Sequence, residues 1–313
     1  MSLDPQVKAL LEAAARSGRT PINHFPPLDA RVQFKEMRKP LLPPTPPIGV
    51  VMDFSIAGRL GAIPVRHYRP VGRDPNDVLP LLIYFHGGGW VVGDLESHDS
   101  LCRQLANGAG CAVIAVDYRM GPEHKFPAAV DDAEDVVRHV AEHAPAFNID
   151  PSRIALGGDS AGGNLATIVA MLCRDSRGPA IKYQLLIYPA TDMAMDRPSH
   201  IEFAEGYNLT RDLMLYFRGH YLNDMAEIKD WRASPLLASD HIDLPPAHII
   251  TAGFDPLRDE GKAYANALSA AGVSVKYRCY DGMIHGFITM SGVLRVANEA
   301  IADCAAELKS QLS

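Results

Sequence analysis

Ser160 is the residue best placed to act as a nucleophile, in the stretch Gly158-Asp159-Ser160-Ala161-Gly162. A short apolar run, residues 154–156, precedes this G-x-S-x-G pattern, and a helix-like segment, residues 164–173, follows it. A strand–turn–helix of this type forces the serine into strained backbone at the strand tip. Its hydroxyl then stands clear of the fold at the positive end of the helix. Gly158 and Gly162 permit the turn, because a side chain there would meet the neighbouring strand or helix. Taken alone, the five residues also fit a chance glycine-containing turn.

A serine hydroxyl needs a base to remove its proton, and that base needs an orienting carboxylate. Acyl transfer further requires hydrogen-bond donors aimed at the developing oxyanion. His86-Gly87-Gly88-Gly89-Trp90 follows an apolar strand-like run, residues 81–85, and consecutive glycines there expose backbone N–H groups to a substrate. No G-K-[ST] or G-x-G-x-x-G follows, which argues against a phosphate loop. Ala161, directly after the serine, supplies a further N–H, and His86 reads as a buttress of its loop rather than a base. For the carboxylate, Asp255 lies where the chain leaves the strand-like run 248–251. Asp259 and Glu260 are rivals that read equally as first-turn acids favoured by a helix dipole. The base is expected last in chain order, and His285 sits in a loop just past the final strand. His139 and His143 form an i, i+4 pair without the glutamate of an H-E-x-x-H site and read as a solvated helix face, so no metal site is expected.

Elements that must position these groups alternate along the chain. Apolar runs at 81–85, 112–116, 154–156, 184–188 and 248–251, with a more alternating run at 273–280, read as strands. Helical segments at 97–108, 128–143, 162–174 and 259–271 lie between them, and 293–312 closes the chain. That order predicts an α/β fold with a mostly parallel sheet flanked by helices. Residues 50–56 and 63–68 read as an antiparallel edge. A helix over 3–16 and the proline run 40–47 make the first residues a separate arm. Residues 191–231 break the strand–helix rhythm and read as a lid over the strand ends.

The 313 residues are 47% hydrophobic and 21% charged, with 30 Lys and Arg against 37 Asp and Glu, a formal charge of −7. Such a balance argues against nucleic acid or an anionic membrane as a partner. Cys102, Cys111, Cys173, Cys279 and Cys304 are scattered and read as buried thiols in a reducing compartment. The start lacks the pattern of a signal peptide, and no apolar run reaches membrane-spanning length. A cytoplasmic protein is therefore expected. The alternating last strand suggests a possible homodimer edge.

H-G-G-G-W at 86–90, G-D-S-A-G-G at 158–163, D-P-L-R-D-E at 255–260 and H-G-F at 285–287 converge on one family. So does D-Y-R-M-G-P-E-H at 117–124, with Met120-Gly121 where Leu-Ala is more usual. The chain resembles the hormone-sensitive-lipase-like branch of the α/β-hydrolases, bacterial carboxylesterases, from about residue 79 to the C-terminus. The resemblance implies an α/β-hydrolase fold with Ser160 as nucleophile, Asp255 as orienting acid and His285 as base. It implies oxyanion donors at Gly88, Gly89 and Ala161, supported by His86, Gly87, Gly158 and Gly162, and no cofactor. It also implies a helical cap made of residues 1–48 and 191–231, over a core of 49–190 and 232–313.

The expected function is hydrolysis of short- to medium-chain carboxylic esters, small molecules, through an acyl-enzyme. Alternatives are a non-catalytic ligand-binding protein on the same fold, and an acyltransferase or amidase using the same triad. Trp90, Tyr188, Phe203 and Tyr207 are expected near the substrate. Asp159 receives no chemical role.

Overall fold

The computed structural model describes residues 2–313. In chain order the elements are α1 (Pro5–Arg16), α2 (Pro27–Arg38), β1 (Val50–Gly58), β2 (Gly61–Arg69), β3 (Leu79–Phe85) and α3 (Leu95–Ala109). There follow β4 (Ala112–Val116), α4 (Ala128–Glu142), β5 (Ile149–Asp159), α5 (Ala161–Asp175), β6 (Ile181–Ile187), α6 (Pro198–Glu202) and α7 (Arg211–Tyr221). The chain ends with β7 (Ala247–Phe254), α8 (Arg258–Ala270), β8 (Val275–Ile284) and α9 (Arg295–Gln311).

The eight strands form one sheet in the order β1-β2-β4-β3-β5-β6-β7-β8. β1 and β2 pair antiparallel, β2 meets β4 antiparallel, and every remaining pair is parallel. The continuous apolar run in β3 follows from burial on both faces. Leu81, Ile83 and Phe85 join a core with Val136, Val140 and Leu165 from α4 and α5. Leu82 and Tyr84, pointing the other way, pack with Leu101, Leu105, Ile301 and Leu308 from α3 and α9. Each of these aliphatic side chains stabilises the fold by roughly 1.5–3 kcal/mol on burial.

Helix ends are set by local chemistry. Asp94 accepts the Ser97 N–H at 2.8 Å and Ser97 Oγ accepts the Asp94 N–H at 2.9 Å, a reciprocal cap that starts α3. Gly110 in left-handed conformation ends it. β3 is flanked by β4 on one side and β5 on the other, so the chain's winding direction reverses there. In open α/β sheets a crevice forms at that point, outside the carboxyl ends of the strands. The H-G-G-G loop leaves β3 and Ser160 leaves β5 at this place. A third, smaller apolar cluster sits above it, where Ile22 and Ala30 of the arm meet Val91, Val92, Leu209 and Phe217.

The arm carries a second helix, α2, that the proline-rich sequence did not announce. The five cysteines are free, with Cys279 alone partly exposed. Among the described residues, no helix is long and apolar enough to cross a membrane.

Candidate active site

β5 ends at Asp159 and α5 begins at Ala161, so Ser160 alone makes the reversal. Its φ of 55° and ψ of −116° lie outside the usual regions for a side-chain-bearing residue, a strain of about 1–3 kcal/mol. The surroundings impose it. Ser160 N–H donates to the Ile187 carbonyl at 2.9 Å, while its own carbonyl accepts the Asn164 and Ala190 N–H groups at 3.1 and 3.2 Å. Gly162 lies so close to the end of β3 that a Cβ would collide with the Phe85 carbonyl oxygen.

His285 is the first residue past β8, and Asp255 the first past β7. The imidazole Nε2 is 3.0 Å from Ser160 Oγ and Nδ1 is 2.8 Å from Asp255 Oδ2. Asp255 is fully buried, and its Oδ1 accepts the Leu257 N–H at 2.8 Å. With a carboxylate on Nδ1, that nitrogen carries the proton, and the Nε2 lone pair faces the serine hydroxyl. Asn208 Nδ2 donates to the His285 carbonyl at 3.0 Å and steadies the loop.

The two rival acids have other partners. Asp259 accepts the Ser199 N–H at 2.9 Å and pairs with Arg258. Glu260 is not a solvated first-turn acid: it is fully buried, accepts the Thr191 N–H at 2.6 Å and faces His200 Nε2 at 2.9 Å. Burial pushes its carboxyl up, against the opposing pull of His200. Glu260 thus fastens the start of the 191–231 segment to α8.

The loop after β3 presents backbone donors. Gly88 and Gly89 have φ of 127° and 60°. At Gly88 a Cβ would collide with the Val92 carbonyl, so both conformation and space require glycine. The Gly88 carbonyl accepts the Val91 and Val92 N–H groups at 3.1 and 2.9 Å. Among the described residues the N–H groups of Gly88 and Gly89 have no acceptor, and Ala161, at the first position of α5, has an N–H with no intrahelical partner. His86 is buried, with Nδ1 donating to the Gly87 carbonyl at 2.8 Å and its ring stacked on Tyr118 at 4.4 Å. Burial, then the neighbouring His98, pushes its pKa down to about 4, so it is neutral and braces the loop. Asp117, 3.9 Å from His86 Nε2, therefore faces a neutral ring rather than a cation.

Asp159, passed over in the sequence, is a hub. It is buried, and Oδ1 accepts the Gly87 N–H at 2.9 Å and the Tyr84 hydroxyl at 2.9 Å. His98 Nε2 lies 3.1 Å from the same oxygen, and the Tyr188 hydroxyl reaches Oδ2 at 3.4 Å. Burial alone would raise its pKa, but His98, Tyr84 and Arg38 hold the carboxyl well below its ordinary value. His98 is buried as well and is part of this group. Nothing local in the sequence signals the cluster, since its members come from β3, α3, β5 and the end of β6.

A cavity of about 610 Å³ opens over Ser160 and His285. Its walls include Phe34 from α2, Trp90 from the glycine loop, and Leu213, Met214 and Phe217 from α7. Of the four aromatic residues expected near the substrate, Trp90 and Tyr207 line it. Tyr188 instead packs beneath His285, ring centres 4.6 Å apart, and Phe203 packs on Phe254 and Tyr207. His139 on α4 and His143, the residue just past its end, stack at 4.2 Å, and neither lines the cavity. Among the described residues, no group of three or more His, Cys, Asp or Glu side chains is arranged to hold a metal ion.

Residues 82–289 match the family model described as the alpha/beta hydrolase fold. The chain belongs to the α/β-hydrolase fold family. Carboxylic ester hydrolase LipN of Mycobacterium tuberculosis is 45% identical over 276 residues, 85% of this chain and 73% of that protein. The ethyl acetate hydrolase of Pseudomonas putida is 40% identical over 318 residues, with 100% of each chain covered. Among solved structures, a thermostable esterase from Pseudomonas putida superposes with a TM-score of 0.96 at 36% identity, covering 100% of this chain and 98% of that one. Within this α/β-hydrolase fold, Ser160, Asp255 and His285 directly follow β5, β7 and β8, at the carboxyl ends of parallel strands.

Proposed function

We propose that this chain is a serine carboxylesterase in which Ser160 is the nucleophile, His285 the base and Asp255 the orienting acid. One observation carries the reading: His285 bridges Ser160 Oγ and Asp255 Oδ2 at 3.0 and 2.8 Å. Nε2 takes the serine proton as Oγ attacks the ester carbonyl. The oxyanion of the tetrahedral intermediate is met by the N–H groups of Gly88, Gly89 and Ala161. The imidazolium, stabilised by Asp255, then gives its proton to the departing alcohol oxygen. Water repeats the sequence on the acyl-enzyme and releases the acid. The cavity volume and apolar walls suit short- to medium-chain acyl groups, in keeping with relatives named as ester and ethyl acetate hydrolases.

Residues 1–48 and 191–231 are proposed as a two-part cap over a catalytic core of 49–190 and 232–313. Support comes from Phe34 and Phe217, one from each part, which both line the cavity. β8 is an open sheet edge, and we propose that it pairs across a homodimer. Elution at monomer mass at micromolar concentration would remove that assignment. A cytoplasmic location is proposed from the free cysteines.

Treatment with a fluorophosphonate probe tests the central assignment. The result expected is a single covalent adduct on Ser160, lost when the protein is unfolded first. An unmodified Ser160 in the folded protein contradicts it.

A further inference from the structure

Arg38 is the last residue of α2 and lines the cavity beside His285. Its Nη1 donates to Thr289 Oγ1 at 2.7 Å and, at 3.4 Å, to the carbonyl of Gly286, the residue after the base. The guanidinium lies over the Phe34 ring, 4.9 Å from its centre. Nη2 lies 3.0 Å from the position that a Cβ on Gly286 would take. These contacts use one end of the guanidinium. Among the described residues, Nε and Nη2 have no hydrogen-bond acceptor, and no carboxylate lies within 4.0 Å.

Other cations of α2 differ: Arg31 pairs with Glu123 at 2.6 Å and Lys35 pairs with Asp94. Burial pulls the Arg38 guanidinium pKa down, with Tyr188 and Asp159 pulling the other way. Asp159 is already engaged by Gly87, Tyr84 and His98. An arginine stays charged under such conditions, and a charge in an apolar enclosure calls for a counter-charge. The unused Nε–Nη2 edge is the fork that receives a carboxylate with two parallel hydrogen bonds.

We propose that Arg38 is an anion subsite, and that the cavity takes esters whose alcohol part carries a carboxylate a few bonds from the ester oxygen. The placement rests on the reading of Ser160 and His285 above. His285 hands its proton to the leaving alcohol oxygen, so the alcohol part lies against the His285–Gly286 turn, where Arg38 sits. The substrates are acylated hydroxy acids. Water cleaves the acyl C–O bond and gives a carboxylic acid and a free hydroxy acid, with Arg38 unchanged.

The test compares kcat/KM at neutral pH for 2-(butyryloxy)propanoate and for its primary amide, which has the same shape without the charge, by release of butyrate. Wild type should prefer the carboxylate. In Arg38→Gln the ratio of the two should fall about 10- to 100-fold, the loss of a charge-assisted pair of hydrogen bonds. Arg38→Lys should keep part of the preference. Any damage from the lost tie to Thr289 falls on both substrates and cancels in the ratio. Equal losses on both esters in Arg38→Gln, or no preference in wild type, overturn the proposal. So does a ratio that collapses in Arg218→Gln or Arg19→Gln, the other cavity arginines without a carboxylate partner among the described residues, and not in Arg38→Gln. p-Nitrophenyl butyrate assayed alongside separates the two readings. Turnover of it without a carboxylate preference sinks the subsite alone, and no turnover of any of the three esters sinks the esterase assignment with it.

Discussion

Asp159 Oδ1 accepts the Gly87 N–H at 2.9 Å. The residue before Ser160 thereby holds the loop whose next two residues, Gly88 and Gly89, line the cavity. One buried carboxylate thus ties the turn that carries Ser160 to the glycine loop after β3.

Asp159→Ala should therefore act on kcat rather than on KM. Gly87 N–H and the Tyr84 hydroxyl lose their acceptor, and the loop shifts without losing its donors. Deleting one oxyanion donor costs about 10²–10³-fold, so displacing the loop is expected to lower kcat about 10- to 100-fold. KM should stay within about threefold, and Asp159→Asn, which keeps one acceptor oxygen, should lose less. Steady-state kinetics on p-nitrophenyl butyrate read the split. A KM rise with unchanged kcat would show that Asp159 has no positioning role.

Asp117 offers a pH test. Burial, then the nearby Asp94, pushes its pKa up to about 6, with Lys35 and Arg31 opposing. A raised folded pKa means the neutral form is preferred in the fold. The contribution to stability is complete below the unfolded value of about 3.9 and is lost as pH rises through about 6. Asp117→Asn, which removes that ionisation, should gain in Tm relative to wild type between pH 4 and 7, and the difference should then level off. A difference flat across that range contradicts the assignment.

Asp255→Asn should keep the fold and lose the chemistry. An amide facing Nδ1 no longer selects the Nδ1–H tautomer, and it does not stabilise the imidazolium. A loss of about 10⁴-fold in kcat is expected, with the circular dichroism spectrum unchanged. A loss under tenfold would point to another orienting acid.

Gly162→Ala tests the turn itself. The added methyl meets the Phe85 carbonyl oxygen, which belongs to the central strand β3 and has little freedom to yield. Destabilisation of about 3 kcal/mol or more is expected, in the range of severe core overpacking. Thermal unfolding measures it, and a Tm within a degree of wild type contradicts the packing described.

β3 and β4 were legible in the sequence because strands buried on both faces must be apolar throughout, and their helices because each must cover one face. The residues around Ser160, Asp255 and His285 were legible because the turn chemistry of each is local. β5 was foreseen only from 154, since its first residues, among them Asp150, Ser152 and Arg153, are polar and partly exposed. α2 was missed because it starts at two prolines and fully buries Ala30 alone. Asp159 and Glu260 were misjudged for the opposite reason. Each looks like an ordinary acid beside a helix start, and only distant partners, Tyr84 and His98 for one and Thr191 and His200 for the other, reveal a buried role. Tyr188 was expected at the cavity wall. Its positive φ of 34° at the end of β6 accompanies its place under His285 instead.

The most direct measurement is kcat of Ser160→Ala on p-nitrophenyl butyrate, in a preparation whose unfolding matches wild type. With Ser160 as the nucleophile, turnover should fall on the order of 10⁶-fold, leaving only what the loop donors and the cavity supply. Turnover within about tenfold of wild type would contradict the account.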